Sequence, residues 1–197
     1  MSVACQRIRS VGRIWSRMVR RYLMGQPPAM FDLMAWNADG TRMPFRMHSE
    51  YLRALYLNND LTEGRFVVDG RPISVSDIRV PVFSVGTAQD HVAPWRSVYK
   101  MHLYLETELT FVLTSGGHNT GVVSEPGHKG RTYRIATARV DDRYVDPESW
   151  EATTPQKEGS WWPDWVDWLN AKSGSRVRPP EMGRALADAP GTYVLQK

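Results

Sequence analysis

Two apolar runs near the middle of the chain have the pattern expected of buried strands. The first, Val80 to Val85, is apolar and β-branched with little polar alternation, as in a strand buried on both faces of a sheet. Pro81 counts against a central position and is tolerable only at the first residues of the strand. The second run extends from Leu109 to Leu113, and a helical pattern follows Pro94 between the two. The order strand, helix, strand predicts a parallel pair.

Each predicted strand leads into a turn that carries a side chain capable of acid–base chemistry. Asp90 and His91 follow the first strand, and Gly116-Gly117-His118 follows the second. Because the carboxyl ends of parallel strands meet at one edge of a sheet, Asp90 can approach His118 and hold its imidazole in one tautomer. An acid followed by a histidine is also the order of the last two triad residues in α/β-hydrolases.

The same residues have structural interpretations that the pattern leaves open. Asp90 could simply cap the helix that starts near Pro94, and His91 could be a surface neighbour. His118 could be non-catalytic, although two preceding glycines let the backbone turn tightly and expose the ring. No His-x-x-x-His pair or carboxylate cluster at ligand spacing indicates a metal site, so none is expected.

The N-terminal segment, residues 1–26, contains six arginines and no acidic residue. Its apolar positions recur at helical spacing, which predicts a basic amphipathic helix. Such a helix could be an organelle transit peptide or could bind nucleic acid or a membrane surface. The favoured interpretation is an internal helix that packs within its own domain.

The rest of the chain divides into a cap-like segment, residues 27–76, and a core segment, residues 77–197. The cap-like segment has a helical pattern from His48 to Leu61 and a hairpin pattern around Asp69-Gly70. These elements would suit a cap over an active site, or they could be ordinary connecting elements. In the core segment, a tryptophan-rich helix places Trp161, Trp165 and Trp168 on one face, where core packing is favoured over an aromatic platform for a sugar or polymer.

Composition narrows the class of protein. The 197 residues are 42% hydrophobic and 23% charged, which is ordinary for a soluble globular protein of one domain, or of two. The longest apolar runs are strand-sized, so no transmembrane segment is expected. The one cysteine, Cys5, excludes an internal disulfide framework and thiolate-rich zinc sites. The net charge of +4 is too mild to indicate nucleic acid on its own.

Four ordered stretches resemble the poly(3-hydroxyalkanoate) synthases, and class I synthases in particular. The stretch from Ser115 to Val123 looks like the histidine motif of that family, and the stretch from Gln89 to Trp95 is similar to its acidic motif. The stretches Phe31 to Asn37 and Gly159 to Trp165 match the same family. The resemblance runs from about Trp15 to the C-terminus.

The resemblance implies an α/β fold: the C-terminal portion of an α/β-hydrolase with part of a cap, and with the nucleophile-bearing half absent. Synthases of this family transfer (R)-3-hydroxyacyl groups from coenzyme A thioesters to a growing polyester through a cysteine in a G-x-C-x-G motif. No cofactor is implied beyond the coenzyme A of the substrate. Carried over, His118 is the general base, and Asp90 orients it or helps to activate the 3-hydroxyl group. His91 would support Asp90, and Trp36 would lie near the cap entrance.

The nucleophile is the point at which this sequence departs from the family. No G-x-S-x-G or G-x-C-x-G precedes Asp90, and Cys5 lies between Ala4 and Gln6 without the glycines. The chain alone is therefore expected to be inactive. Two alternatives stay open: a non-catalytic truncated homologue that binds a full-length synthase or polymer granule, and a basic protein that associates with DNA or membranes through residues 7–21. The resemblance implies the cytoplasm and the granule surface, leaves open a synthase dimer, and gives no reason to expect nucleic acid.

Overall fold

The structure, a computed structural model, describes residues 18–26, 43–188 and 191–192 of the chain. Two units are present, residues 1–48 with 178–197, and residues 49–177. The described part of the first unit includes one π-helical turn, Val19–Leu23, from the segment predicted to be a basic helix. This helix ends at Leu23, before the predicted end at residue 26, and residues 1–17 lie outside the described residues. Every strand described below belongs to the second unit.

The cap-like segment contains the predicted helix and the predicted hairpin. Helix α1 (Phe45–Tyr51) continues as π-helix over Leu52–Leu57, so it begins and ends earlier than the pattern indicates. Strands β1 (Phe66–Val68) and β2 (Arg71–Ile73) pair antiparallel. Asp69 and Gly70 join them with positive φ angles of 49° and 76°, the left-handed conformation that a two-residue hairpin turn requires. The hairpin prediction is confirmed.

A mixed four-stranded sheet forms the centre of the second unit. Its strands are β3 (Val82–Thr87), β4 (Leu109–Thr114), β5 (Thr132–Ala138) and β6 (Gln156–Glu158), in the order β3-β4-β5-β6. Strands β3 and β4 are parallel, as predicted, whereas β4–β5 and β5–β6 are antiparallel. The fold is therefore mixed α/β, an architecture compatible with the α/β-hydrolase fold that the resemblance implies.

The first predicted strand differs from the observed one in its start and its burial. Strand β3 begins at Val82 rather than Val80, and the amide of Val82 donates to the Glu108 carbonyl at 2.9 Å. Pro81 has no amide hydrogen to donate, so it precedes the strand. Residues 82–85 are only partly buried, because β3 pairs on one side only within the described residues. Strand β4 is the one that is buried throughout.

Apolar side chains pack on both faces of β4, where alternate residues point in opposite directions. Phe111 and Leu113 face one cluster, and Val112 faces the other. The first cluster is completed by Trp95, Tyr99 and Trp150, and the second by Tyr133 and Trp161. Because β4 separates the two clusters, its carboxyl end is fixed from both sides.

Three helices surround this sheet. Helix α2 (Trp95–Tyr99) continues as 3₁₀-helix over Lys100–Leu103, close to the predicted range. Helix α3 (Pro147–Thr153) begins after Asp146, whose carboxylate accepts a hydrogen bond from the Ser149 amide. Helix α4 (Trp162–Lys172) carries the predicted tryptophan-rich face. None of the helices in the described ranges combines the length and the apolar character needed to cross a membrane.

The tryptophan-rich face packs largely as the core interpretation predicts. Trp161 stacks on Phe83 with ring centroids 6.1 Å apart, and Trp168 meets the same ring edge-on at 5.5 Å. Trp165 is 38% exposed and contacts Trp161 at 5.8 Å. Helix α4 is therefore attached to β3, the strand that leads to Asp90.

Candidate active site

Asp90 lies in a tight turn directly after β3. Its Oδ1 atom accepts hydrogen bonds from the backbone amides of Val92 and Ala93, at 2.8 and 2.9 Å. Its own amide donates to the Thr87 carbonyl at 3.2 Å. The Asp90 side chain is 6% exposed, so these contacts hold a nearly buried carboxylate in one orientation.

His118 lies in the corresponding turn after β4. Gly116 opens this turn with φ of 103°, a conformation that L side chains rarely adopt. One helical turn follows, in which the amide of Gly121 donates to the Gly117 carbonyl at 2.8 Å. The Gln89 amide donates to the Gly116 carbonyl at 2.9 Å, which ties the acid turn to the histidine turn. The two turns therefore form one connected structure at one edge of the sheet.

The two predicted side chains meet at this edge. His118 Nδ1 lies 2.8 Å from Asp90 Oδ2. A carboxylate only accepts hydrogen bonds, so Nδ1 carries the proton, and in the neutral imidazole Nε2 is then the unprotonated nitrogen. The His118 side chain is 32% exposed, and no protein hydrogen bond to Nε2 is found within the described ranges. The arrangement can accept a proton from a group that approaches the exposed nitrogen.

The charge state of Asp90 suits this arrangement. Burial raises the pKa of the Asp90 carboxyl, but hydrogen bonds donated by the Ala93 amide, by His118 and by the Val92 amide outweigh it. The net effect holds the Asp90 pKa below its ordinary value. Asp90 is therefore ionised at neutral pH and can stabilise a positive charge that develops on His118.

Curated proteins with similar sequences are poly(3-hydroxyalkanoate) polymerases. The chain is 41% identical to the poly(3-hydroxyalkanoate) polymerase of Methylorubrum extorquens over 205 residues, which cover 100% of this chain and 33% of that protein. It is 37% identical to the poly(3-hydroxyalkanoate) polymerase subunit PhaC of Rhizobium etli over 201 residues, which cover 100% of this chain and 31% of that protein. The chain is a relative of the poly(3-hydroxyalkanoate) polymerases. The resemblance inferred from the motifs is confirmed.

A third polymerase extends this result to another genus. The PhaC polymerase subunit of Cupriavidus necator is 37% identical over 190 residues, which cover 93% of this chain and 32% of that protein. The chain thus spans about a third of the length of the curated polymerases that it matches. No family model matches the chain.

The structure gives different outcomes for the site residues predicted in this polymerase relative. It brings Asp90 and His118 together, although their catalytic roles stay predictions. Asp90 does not cap α2, because both amides that it binds precede the helix. His91 is partly buried, and within the described residues no hydrogen bond joins it to Asp90. Trp36 lies outside the described residues, as does Cys5.

Local sequence patterns do not assign three further residues, Thr87, Trp161 and Trp162, to this site. Thr87 is 2% exposed, and its hydroxyl donates to Asp90 Oδ2 at 3.2 Å, beside the His118 contact. The indole nitrogens of Trp161 and Trp162 donate to the carbonyls of Gly121 and Val122, in the segment that follows His118. A threonine at a strand end has no distinguishing pattern, and bonds between residues forty positions apart leave no local signal.

Other candidate binding features lie away from the dyad, the hydrogen-bonded pair of Asp90 and His118. A cavity of about 340 Å³ has Tyr99, His102, Trp150 and Arg139 among its lining residues and lies near the first residue of β4, at the opposite end of that strand from His118. Within the described ranges, no group of three or more His, Cys, Asp or Glu side chains is arranged to hold a metal ion.

Proposed function

We propose that this chain is the C-terminal part of a poly(3-hydroxyalkanoate) polymerase and supplies the acid and the base of its active site. The reaction is acyl transfer from an (R)-3-hydroxyacyl coenzyme A thioester to a growing polyester. The nucleophile would be a cysteine of the polymerase that this sequence does not contain, since no G-x-C-x-G occurs in it. Identity of 37 to 41% with three curated polymerases supports the proposal. The proposal places the chain at the surface of polyester granules in the cytoplasm.

The single observation that carries the proposal is the contact of 2.8 Å between His118 Nδ1 and Asp90 Oδ2. It sets the tautomer in which Nε2 is basic, and it leaves the ring one-third exposed for a reacting group. The Asp90 carboxylate is nearly buried and accepts four hydrogen bonds. This environment favours the role of orienting His118 over that of contacting the 3-hydroxyl group directly.

The proposed chemistry follows from the unprotonated Nε2 atom of His118. His118 Nε2 takes the proton of the cysteine thiol, and the thiolate attacks the thioester carbonyl. The imidazolium, stabilised by Asp90, then returns the proton to the departing coenzyme A sulfur, which leaves an acyl-cysteine. In the second half-reaction, Nε2 takes the proton of the chain-end hydroxyl. That oxygen attacks the acyl-cysteine, and the cysteine sulfur leaves and recovers the proton.

A chimera tests this proposal. The chain would replace the aligned third of the Methylorubrum extorquens polymerase, and coenzyme A release from (R)-3-hydroxybutyryl coenzyme A would be measured together with polymer formation. In an active chimera, His118→Gln should lower turnover by about 100-fold to 10,000-fold, the usual contribution of a general base. Activity retained by His118→Gln, or a chimera that folds but forms no polymer, would contradict the proposal.

His128 offers a matched control. It also contacts a carboxylate through Nδ1, at 2.7 Å from Glu125 Oε1, and its side chain is 39% exposed. Because this pair is independent of Asp90, His128→Gln should leave turnover close to that of the unmodified chimera. Equal losses in the two variants would show that substitution of any partly exposed histidine is harmful.

A further inference from the structure

Three consecutive residues at the start of α4, Ser160 to Trp162, donate hydrogen bonds to the segment that follows His118. Trp161 Nε1 donates to the Gly121 carbonyl at 3.3 Å, and Trp162 Nε1 donates to the Val122 carbonyl at 3.0 Å. The Ser160 hydroxyl donates to the carbonyl of Ser124. The three bonds join a short run of donors to a short run of acceptors, so residues 160–162 act together on residues 121–124.

The segment that they hold is continuous with the turn that carries His118. Gly121 donates its amide to the Gly117 carbonyl, and Val123 donates its amide to the Asn119 carbonyl at 2.9 Å. His118 lies inside this short helical turn. A turn of this length is not stable on its own, so its position depends on what holds its ends. Fixing the carbonyls of Gly121 and Val122 therefore fixes the backbone of His118.

The donors themselves are anchored in the core. Trp161 is 5% exposed and packs against Phe83, Val112 and Tyr133. Tyr133 donates its hydroxyl to Asp164, in the first turn of α4. Because Phe83 lies on β3, the strand that ends beside Asp90, one strand supports both partners of the dyad. Strand β3 supports Asp90 through the backbone that joins them, and it supports His118 through the contact of Phe83 with Trp161.

We propose that Trp161 and Trp162 are positioning residues that hold His118 at hydrogen-bond distance from Asp90. The catalytic role of the dyad rests on the proposed function. The bracing, by which we mean the hold of residues 160–162 on residues 121–124, rests on the hydrogen bonds alone. Misplacement of a catalytic group by about 1 Å can cost about 100-fold in rate. Loss of one indole donor should therefore lower turnover by about tenfold or more, with little change in KM.

The first test is spectroscopic and needs no activity. In the 197-residue chain, the proton between His118 Nδ1 and Asp90 should give an NMR resonance that is absent in His118→Gln. Trp162→Phe keeps an aromatic ring at a partly buried position and removes the indole donor. We expect this resonance to broaden or disappear in Trp162→Phe. In Trp165→Phe it should persist, because Trp165 makes no hydrogen bond through its side chain within the described residues.

Hydrogen exchange separates a local effect from general destabilisation. In Trp162→Phe, amide exchange should rise in residues 115–124 and stay unchanged in β5. Trp161→Phe is measured as a second variant, because one of the two indole hydrogen bonds can contribute more than the other to the position of His118. The bracing is overturned if both variants keep the His118 resonance and the exchange pattern of the unmodified chain. It is also overturned if exchange rises equally in both segments.

The polymerase chimera provides the functional test. A lower kcat at constant KM in Trp162→Phe, with Trp165→Phe unaffected, supports positioning of the catalytic histidine. A lost His118 resonance with unchanged polymer formation would overturn the catalytic role of His118 and leave the bracing in place. A retained resonance with lost activity would overturn the bracing and leave the catalytic role in place. The two failures are therefore distinguishable.

Discussion

Thr87 occupies the space that a side chain at position 121 would need. A Cβ atom placed on Gly121 would lie 2.6 Å from Thr87 Cγ2 and 3.0 Å from the Gly117 carbonyl oxygen. The turn that carries His118 can therefore approach the end of β3 only because residue 121 is a glycine. This close approach brings His118 within reach of Asp90, which follows Thr87 by three residues.

Substitution of Gly121 by alanine should therefore destabilise the protein. Overpacking of this kind costs about 1–3 kcal/mol, because the backbone or Thr87 must shift. The free energy of unfolding, measured by urea denaturation, should fall by that amount. Unchanged stability in Gly121→Ala would show that the turn moves freely.

A double-mutant cycle identifies the cause. Thr87→Ser removes the methyl group that would clash and keeps the hydroxyl bonded to Asp90. Combined with Gly121→Ala, it should recover only part of the lost free energy, because the Cβ atom of residue 87, at 2.9 Å, and the Gly117 carbonyl oxygen, at 3.0 Å, still crowd the new atom. Strict additivity of the two substitutions would contradict a direct clash with the methyl group of Thr87.

Asp90 should make the stability of the protein depend on acid pH. The pKa of an aspartate in an unfolded chain is about 3.9, and the pKa of Asp90 in the folded protein is lower. Between these two values the unfolded chain binds more protons, so the free energy of unfolding rises with pH. The contribution of Asp90 is present above about pH 4 and is lost as pH falls through the lowered folded pKa.

Urea unfolding at neutral and acid pH tests this dependence. The difference in stability between the unmodified chain and Asp90→Asn should be largest near neutrality and should shrink as the pH falls. Asp167→Asn is the control, because Asp167 is exposed and makes no side-chain hydrogen bond within the described residues. A constant difference for Asp90→Asn at all pH values would mean that its carboxylate gains nothing on folding.

Local patterns predict the elements in which an apolar run is followed by residues typical of a turn. Strand β4 is a run of buried residues, and the turn after it contains the glycine that its positive φ requires. Parallel pairing with β3 then places Asp90 and His118 at one edge. Local patterns thus predict the two strands and allow Asp90 to approach His118, while the contact itself is seen only in the structure.

The parts that local patterns miss depend on tertiary contacts. Strand β5, with the sequence Thr-Tyr-Arg-Ile-Ala-Thr-Ala, mixes polar and small residues and becomes a strand by pairing with β4. Strand β6 is short, exposed and polar, so it has no hydrophobic pattern at all. The hydrogen bonds from Trp161 and Trp162 join distant residues, and the tryptophan pattern alone predicts only core packing.

Trp150 should be among the most costly residues to truncate. It is 7% exposed and meets Tyr99 and Phe111 with ring centroids 5.6 and 5.2 Å apart. Trp150→Ala should lower the free energy of unfolding by about 3–5 kcal/mol, since it leaves a cavity in the first core cluster. Trp165→Ala, at a position that is 38% exposed, should cost clearly less in the same urea measurement. Equal losses would contradict the assignment of Trp150 to the core.

Thr87→Val should reveal whether the threonine hydroxyl supports the charged form of Asp90. Valine keeps the shape of the side chain and removes the donor to Asp90 Oδ2, so the Asp90 pKa should rise towards its ordinary value. The loss of stability should be about 0.5–1.5 kcal/mol near neutral pH and smaller in acid, where Asp90 is protonated. Thr110→Val is the control, because that buried hydroxyl bonds to the neutral hydroxyl of Thr137 at 2.8 Å. Its cost should not change with pH, and a pH-independent cost for Thr87→Val as well would show that the Thr87 hydroxyl contributes only as a neutral hydrogen-bond donor.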